Sequence, residues 1–99
     1  MGDEAIKIFR DCIPLFQTLS DPYRQDIVLM LAEQERLTVN EIVEQVTLSR
    51  PAVSHHLKIL RDTGLVTSEK NGTKHYYSLN LDSSIEKLKR LILAIEEDC

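Results

Sequence analysis

The 99-residue sequence predicts a mainly α-helical fold with a small β-hairpin, in the order helix, helix, short helix, helix, strand, strand, helix. Three observations support this order. Apolar residues recur at helical spacing over most of the chain, a serine and a glycine bracket one helical pattern, and an Asn-Gly pair divides two alternating segments. Two helices joined by a short turn and followed by a hairpin form a winged helix-turn-helix, here predicted as a single domain over residues 1–99.

The first helical region, residues 4–19, is apolar over about half of its helical wheel, which is more than one core contact requires. Pro14 lies inside this region, and an interior proline breaks or kinks a helix. One solution is two helices, the first ending near Arg10 and the second starting with Asp11 as N-cap and Pro14 in its first turn.

The next two helical segments carry clear start signals. Ser20 or Asp21 can cap the second helix, and Pro22 suits its first turn. Thr38 or Asn40 can cap the short third helix. The expected core positions are Ile27, Val28, Leu31 and Ala32 in the second helix and Val39, Ile42, Val43 and Val46 in the third.

The fourth helix, about residues 50–63, has the best-defined ends, with Ser49 as N-cap and Gly64 as C-terminal stop. At 100° per residue, His56 lies at the edge of the apolar stripe, whereas the adjacent His55 points outward. The predicted buried face carries Val53, Leu57 and Leu60, the opposite face Pro51, His55, Lys58 and Asp62, and one flank Arg50, Ser54 and Arg61.

The segments "LVTSEK" and "KHYYSL" alternate around Asn71-Gly72 and predict a β-hairpin. Tyr76 and Tyr77 are adjacent on a strand, so they face opposite sides, and we expect one in the core and the other partly exposed. A last amphipathic helix is predicted over about residues 82–97, with apolar positions Ile85, Leu88, Leu91, Ile92 and Ile95.

Charge is distributed unevenly along the chain, whose formal net charge is −4. Residues 50–78 hold five basic and two acidic residues and all three histidines, whereas the flanking segments are both acidic. A basic block inside an acidic chain is a candidate binding surface for a polyanion.

Several classes of protein are not expected. No stretch approaches the ~20 apolar residues that span a bilayer, and the charged start "MGDEAIKIFR" lacks the apolar run of a signal peptide, so a cytoplasmic protein is expected. Cys12 and Cys99 form neither a CxxC nor a CxC pair, which argues against structural zinc. No nucleophile–base pair, phosphate-cradling glycine loop or carboxylate pair is visible, so we predict neither an enzyme nor a cofactor.

Three motifs, "FQTLSDPYR", "LSRPAVSHHLKILRDTGLV" and "KHYYSL", together resemble the ArsR/SmtB family of winged-helix transcriptional repressors. The resemblance extends from about Phe16 to Leu79. It implies a homodimeric bacterial or archaeal protein that binds double-stranded DNA at a palindromic operator, in a family with many metal sensors.

The outward face of the fourth helix offers hydroxyl, imidazole, guanidinium and ammonium groups, which suit base edges and phosphates. The resemblance places Arg50, Ser54 and His55 at positions that read the major groove. Lys58 and Arg61 suit nearby phosphates, and Lys70 and Lys74 flank the hairpin tip, where wing contacts are usual. We expect His56 to pack internally and Arg24 to act as a structural ion-pair or capping residue. The predicted DNA-binding residues are Arg50, Ser54, His55, Lys58, Arg61, Lys70 and Lys74.

The wide apolar arcs of the first and last helical regions exceed what a monomer of this size can cover. We therefore expect the terminal helices, about residues 4–19 and 82–97, to form a dimer interface, as the resemblance also implies. Two recognition helices would then address half-sites about one turn of DNA apart.

The metal sites common in the family are not expected. Thr38 and Asn40 stand where many members have a Cys-x-Cys pair, and the last helix has Asp82 and glutamates but no histidine. Adjacent helical residues diverge by ~100°, so His55 and His56 do not chelate one ion. Cys12 and Cys99 are a possible redox pair, although a buried small hydrophobe and a terminal thiol are the favoured interpretation. The effector is not predicted.

Two alternatives to a DNA-binding repressor without these metal sites stay open. One is a thiol-responsive repressor that uses Cys12 and Cys99. The other is a winged-helix module for protein–protein interaction, which the retained basic face argues against.

Overall fold

A computed structural model describes residues 2–98 and confirms a mainly helical winged helix-turn-helix fold. The helices and strands are α1 (Asp3–Leu19), α2 (Pro22–Glu33), β1 (Leu37–Thr38), α3 (Val39–Val43), α4 (Arg50–Thr63), β2 (Val66–Asn71), β3 (Lys74–Leu79) and α5 (Asp82–Asp98). The three strands form one antiparallel sheet in the order β1-β3-β2. Within residues 2–98, no helix is both long enough and apolar enough to cross a membrane.

The first helix is continuous, so the two-helix solution around Pro14 is wrong. Pro14 is exposed, and so is Arg10, whose carbonyl loses its partner in the i→i−4 ladder and can bind water instead. Ala5, Cys12 and Leu15 are buried on both sides of the proline. Packing over the whole length of α1 therefore keeps a helix that local propensity alone would interrupt.

Side chains cap α2, α3 and α4 at their N-termini. The Asp21 carboxylate accepts hydrogen bonds from the Tyr23 and Arg24 backbone amides, at 2.9 and 3.1 Å. Thr38 and Glu41 form a reciprocal capping box at α3, and the Ser49 hydroxyl accepts from the Ala52 amide. Asp21, Thr38 and Ser49 were all among the predicted caps.

Gly64 ends α4 at φ 89°, a left-handed conformation that side chains with a Cβ rarely adopt. The next residue, Leu65, donates its amide to the Leu60 carbonyl and enters the core at 2% exposure. The chain thus turns directly from α4 into β2, as the predicted stop requires.

The hairpin turn lies one residue later than the Asn71-Gly72 centre that the sequence suggests. Asn71 pairs with Lys74, so Gly72 and Thr73 are the two turn residues. Gly72 has a positive φ of 66° and Thr73 does not, which is the pattern of a type II′ turn. The predicted hairpin is confirmed, and its turn lies at Gly72-Thr73 because the pairing of β2 with β3 sets the register.

The sequence does not reveal β1, which is only two residues long and too short for an alternating pattern. Leu37 pairs with Tyr77 and Thr38 with Tyr76, which makes β3 the central strand. The hairpin is therefore attached to the start of α3 as well as to the end of α4.

One hydrophobic cluster joins α1, α2, α3, α4 and the sheet. Its buried members are Leu15, Ile27, Leu31, Leu37, Ile42, Val53, Leu57, Leu60, Leu65 and Val66. The predicted stripe of α4 is confirmed, since Val53, Leu57 and Leu60 are each 0% exposed. Ala32 is exposed, contrary to the prediction, and lies in the last turn of α2, one residue before the helix ends at Glu33.

The terminal helices pack against each other and leave large apolar side chains exposed. Phe9 and Phe16 lie seven residues apart on one face of α1, and Ile85 and Ile92 lie seven apart on one face of α5. The exposed fraction is 45% for Phe9 and 54% for Ile92. The folded monomer thus leaves part of both apolar arcs uncovered.

Candidate nucleic-acid interface

Helix α4 is buried on one face and polar on the other. Opposite the buried stripe, the exposed side chains include Arg50, Ser54, His55, Lys58 and Arg61. The helix therefore offers five of the predicted DNA-binding residues to solvent while its own position is fixed by the core. A helix of this kind fits the major groove of B-DNA.

Arg50, the first residue of α4, is held from the neighbouring helix. Its Nη1 atom donates a hydrogen bond to the Asn40 side-chain oxygen on α3, at 2.6 Å. Both side chains are exposed, so the pair lies on the surface that the turn between α3 and α4 presents.

The hairpin places Lys70 and Lys74 near its tip, both exposed. Arg36 braces the middle of the hairpin, because its guanidinium lies 4.2 Å from the centre of the Tyr76 ring. Tyr77, on the other side of the strand, packs against the core cluster. Both tyrosines are half-buried, so the expected contrast between one core and one exposed ring is weaker than predicted.

An open cleft of about 630 Å³ lies between α3, α4 and β3. It brings Arg50, Arg61 and Lys74 together, residues that are up to 24 positions apart in the sequence. Ser54, His55, Lys58 and Lys70 do not line this cleft. The predicted residues therefore form two adjoining surfaces, a cleft and an exposed ridge along α4 and the hairpin.

Lys58 is paired on its own helix. Its Nζ atom lies 2.8 Å from the Asp62 carboxylate, with both side chains more than half exposed. This hydrogen bond is the main reason why the pKa of Asp62 is held below its ordinary value. An exposed pair of this kind contributes little to stability, so a DNA phosphate can replace Asp62 as the partner of Lys58.

Glu41 introduces a negative charge into the cleft. Hydrogen bonds from the Thr38 backbone and hydroxyl are the main reasons why the pKa of Glu41 lies below its ordinary value, and Lys74 and Arg36 lower it further. The Glu41 carboxylate accepts from the Thr38 amide at 3.0 Å. This carboxylate is therefore ionised at neutral pH and fixed by the cap of α3.

His56 faces inward, away from the polar ridge. Its Nδ1 atom lies 3.2 Å from Nη1 of Arg24, and because a guanidinium has only donors, this nitrogen must accept and be unprotonated. Arg24 also donates through Nε to the Thr18 carbonyl at 2.8 Å and lies 4.0 Å from Asp21. The two residues thus have the structural roles that the sequence suggests.

The pKa of His56 is lowered from its ordinary 6.5. Burial is the main cause, and the positive charges of Arg24 and His55 act in the same direction. Asp21 acts in the opposite direction and offsets part of the effect. At neutral pH the His56 ring is accordingly an uncharged acceptor.

The positions of the common family metal ligands have other partners here. The Thr38 hydroxyl accepts from the Glu41 amide, and the Asn40 oxygen accepts from Arg50. Among residues 2–98, no three His, Cys, Asp or Glu side chains lie close enough together to hold a metal ion.

Cys12 is fully buried between α1 and α5, where its thiol lies 3.7 Å from the Lys87 carbonyl oxygen. This position favours the role of a small buried hydrophobe. Cys99, the other half of the possible redox pair, lies outside the described residues.

The sequence-based list lacks several residues of the interface region. Among them are Asn40, Glu41 and His75, which line the cleft, and Arg36, which braces Tyr76. Three of these four precede α4 in the chain and lie outside the basic block of residues 50–78. His75 was visible as a member of that block. Arg36, Asn40 and Glu41 are brought near the basic residues by β1, which the sequence does not reveal.

Comparison with known proteins identifies relatives of this chain. Residues 21–68 match the family described as bacterial regulatory protein, arsR family. The arsenical resistance operon repressor of Staphylococcus xylosus is 40% identical over 72 residues, which cover 73% of this chain and 68% of that protein. The transcriptional repressor SdpR of Bacillus subtilis is 36% identical over 66 residues, covering 67% of this chain and 72% of that protein.

Solved structures agree with the fold. Reduced HlyU from Vibrio cholerae N16961 superposes with a TM-score of 0.73 at 31% identity, covering 91% of this chain and 97% of that one. NolR from Sinorhizobium fredii gives a TM-score of 0.76 at 26% identity, covering 92% of this chain and 90% of that one.

Proposed function

Because the chain belongs to the ArsR family and is accordingly a DNA-binding transcriptional regulator rather than an enzyme, we propose that it is a homodimeric repressor of a palindromic operator. The proposal rests on one observation, the contrast between the apolar and the polar face of α4. Its apolar face is fully buried, while Arg50, Ser54 and His55 are exposed together on a helix of fixed position.

Each side chain of the interface has a proposed role. Arg50, Ser54 and His55 read base edges in the major groove, because their donors and acceptors suit those edges. Lys58 and Arg61 contact phosphates beside the groove, and Lys70 and Lys74 contact the backbone from the hairpin. The acidic remainder of the chain limits binding to DNA elsewhere on the surface.

Dimerisation is proposed through α1 and α5. A second copy of the chain, related by a two-fold axis, can cover this apolar surface, because each copy then buries the same patch of the other. The side chains available for it are Ile6, Phe9, Phe16, Ile85, Ile92 and Ile95, each at least 36% exposed. Two copies of α4 would enter successive major grooves about one helical turn apart.

We propose that repression does not depend on metal at the positions common in the family. Thr38 and Asn40 are weak ligands for soft metals, and both side chains have hydrogen-bonding roles of their own. Binding of the operator should accordingly be unchanged by chelators or by added zinc.

Selection of bound duplexes from random DNA, followed by salt titration, tests this function. We expect a palindromic consensus and a steep loss of affinity with salt, since phosphate neutralisation releases counterions. Lys70→Gln and Lys74→Gln should each reduce the slope of log K against log salt by about 0.9. Lys7→Gln, an exposed lysine on the face of α1 opposite Phe9, is the matched control and should leave the slope unchanged. Binding without sequence preference would contradict the proposal.

A further inference from the structure

We propose that Asn40 is a positioning residue for DNA recognition, whose side-chain oxygen holds the Arg50 guanidinium in the orientation that distinguishes bases. This inference rests on the proposed function, in which Arg50 reads the major groove. It assigns a role in specificity to a residue on the first helix of the helix-turn-helix.

The hydrogen bond between the two side chains is short and charge-assisted, at 2.6 Å. It uses one of the five N–H donors of the guanidinium, so the others stay available for the two acceptors of a guanine edge. Among residues 2–98, it is the one side-chain hydrogen bond or ion pair of Arg50. Without Asn40, the arginine would be free to occupy many rotamers.

The acceptor sits on a rigid support. Asn40 lies between Thr38 and Glu41, the two residues of the capping box, and Ile42 on the same short helix is 0% exposed. Arg50 in turn begins a helix whose N-cap, Ser49, is hydrogen-bonded to Ala52. The 2.6 Å contact therefore joins two fixed backbones, so it can fix the direction in which the guanidinium points.

The chemical identity of the acceptor matters as much as its position. Glu41 lines the same cleft, but its carboxylate is engaged by Thr38, and Arg50 is bound by a neutral amide instead. A neutral acceptor orients the guanidinium without neutralising it, so the full positive charge is left for DNA. Lys58, by contrast, has to exchange a carboxylate partner on binding.

Operator affinity and affinity for a random duplex of equal length should be measured for Asn40→Ala, Arg50→Ala and the double variant. Without Asn40, the Arg50 side chain loses more conformational entropy when it binds DNA. Asn40→Ala should therefore weaken operator binding about three- to tenfold. Binding to the random duplex should stay unchanged. In the Arg50→Ala background, the Asn40 substitution should have no further effect.

Two more variants make the test specific. Asn40→Asp keeps the oxygen but adds a charge, so it should preserve the base preference at the Arg50 position while weakening binding to both duplexes. Gln45→Ala, just beyond α3 and bonded to Gln34 rather than to Arg50, should behave as wild type. Thermal unfolding of every variant checks that the fold is retained.

The outcomes separate the inference from the proposed function. If Arg50→Ala weakens operator binding but Asn40→Ala does not, or if both effects simply add, the positioning role is overturned and the interface stands. If Arg50→Ala leaves operator binding unchanged, the proposed recognition surface is itself wrong, and the inference with it.

Discussion

At the scale of single residues, two adjacent histidines on α4 have unrelated surroundings. His55 is exposed on the polar ridge, whereas the His56 ring accepts a hydrogen bond from Arg24 in the junction with α1 and α2. The ~100° between neighbouring helical residues accounts for this separation. A pair that suggests a metal site in the sequence is therefore divided between the exposed polar side and the core-facing side of one helix.

Alanine substitution should separate these two roles. We expect His55→Ala to weaken operator binding by about 1–3 kcal/mol if the ring reads a base, with stability within about 0.5 kcal/mol of wild type. His56→Ala should instead lower the free energy of unfolding by about 1–3 kcal/mol, because Arg24 loses its acceptor. Urea unfolding and fluorescence anisotropy measure the two quantities. A stability loss for His55→Ala equal to that for His56→Ala would contradict the assignment.

At the scale of helices and strands, the segment between α1 and α2 connects three helices. Asp21 caps α2, and Arg24 and Gln25 donate from α2 to carbonyls at the C-terminal end of α1. Arg24 then reaches His56 on α4. The "SDPYR" motif therefore has a structural role, since its side chains satisfy backbone groups at the ends of α1 and α2.

This junction should make stability depend on pH. Because the pKa of His56 is lowered below 6.5, the unfolded chain binds its proton more readily than the folded chain. The contribution of His56 is fully present above pH 6.5 and is lost as pH falls through its folded pKa. We expect the thermal midpoint to decline below pH 6.5, and less so in His56→Gln, which keeps an acceptor without the charge.

Calorimetry between pH 5 and pH 8 checks this expectation. His75→Gln, on the exposed part of the hairpin, is the matched control and should retain the wild-type decline. An identical decline in His56→Gln would show that other groups are responsible.

At the scale of the whole molecule, charge and apolar surface are segregated. Exposed basic side chains of the candidate interface lie on α4 and the hairpin, while most of the exposed large apolar side chains lie on the two terminal helices. This arrangement suits a dimer in which α1 and α5 set the distance between two recognition helices.

A charge in the proposed interface should dissociate the dimer and weaken operator binding. Phe9→Glu or Ile92→Glu changes two side chains in a two-fold interface. Because each buried side chain contributes about 1.5–3 kcal/mol, the dimerisation affinity should fall at least about a hundredfold. Sedimentation velocity measures the mass. Leu29→Glu, which changes a 62% exposed leucine on α2, is the control and should stay dimeric. An unchanged mass for Phe9→Glu and Ile92→Glu would remove α1 and α5 as the interface.

The sequence by itself determined the features that depend on local chemistry. Helix caps at Asp21, Thr38 and Ser49, the stop at Gly64 and the buried stripe of α4 follow from hydrogen bonding and periodicity within a few residues. The exposed side chains of the candidate interface could be named for the same reason, since a helical wheel orders them once the buried face is known.

The tertiary structure alone decided what depends on distant partners. Packing along α1 outweighs the break that Pro14 favours, and pairing of β2 with β3 moves the turn from Asn71-Gly72 to Gly72-Thr73. The contact of Asn40 with Arg50 requires the turn between α3 and α4 to be folded. In each case the deciding energy comes from residues far apart in the chain, which no local pattern records.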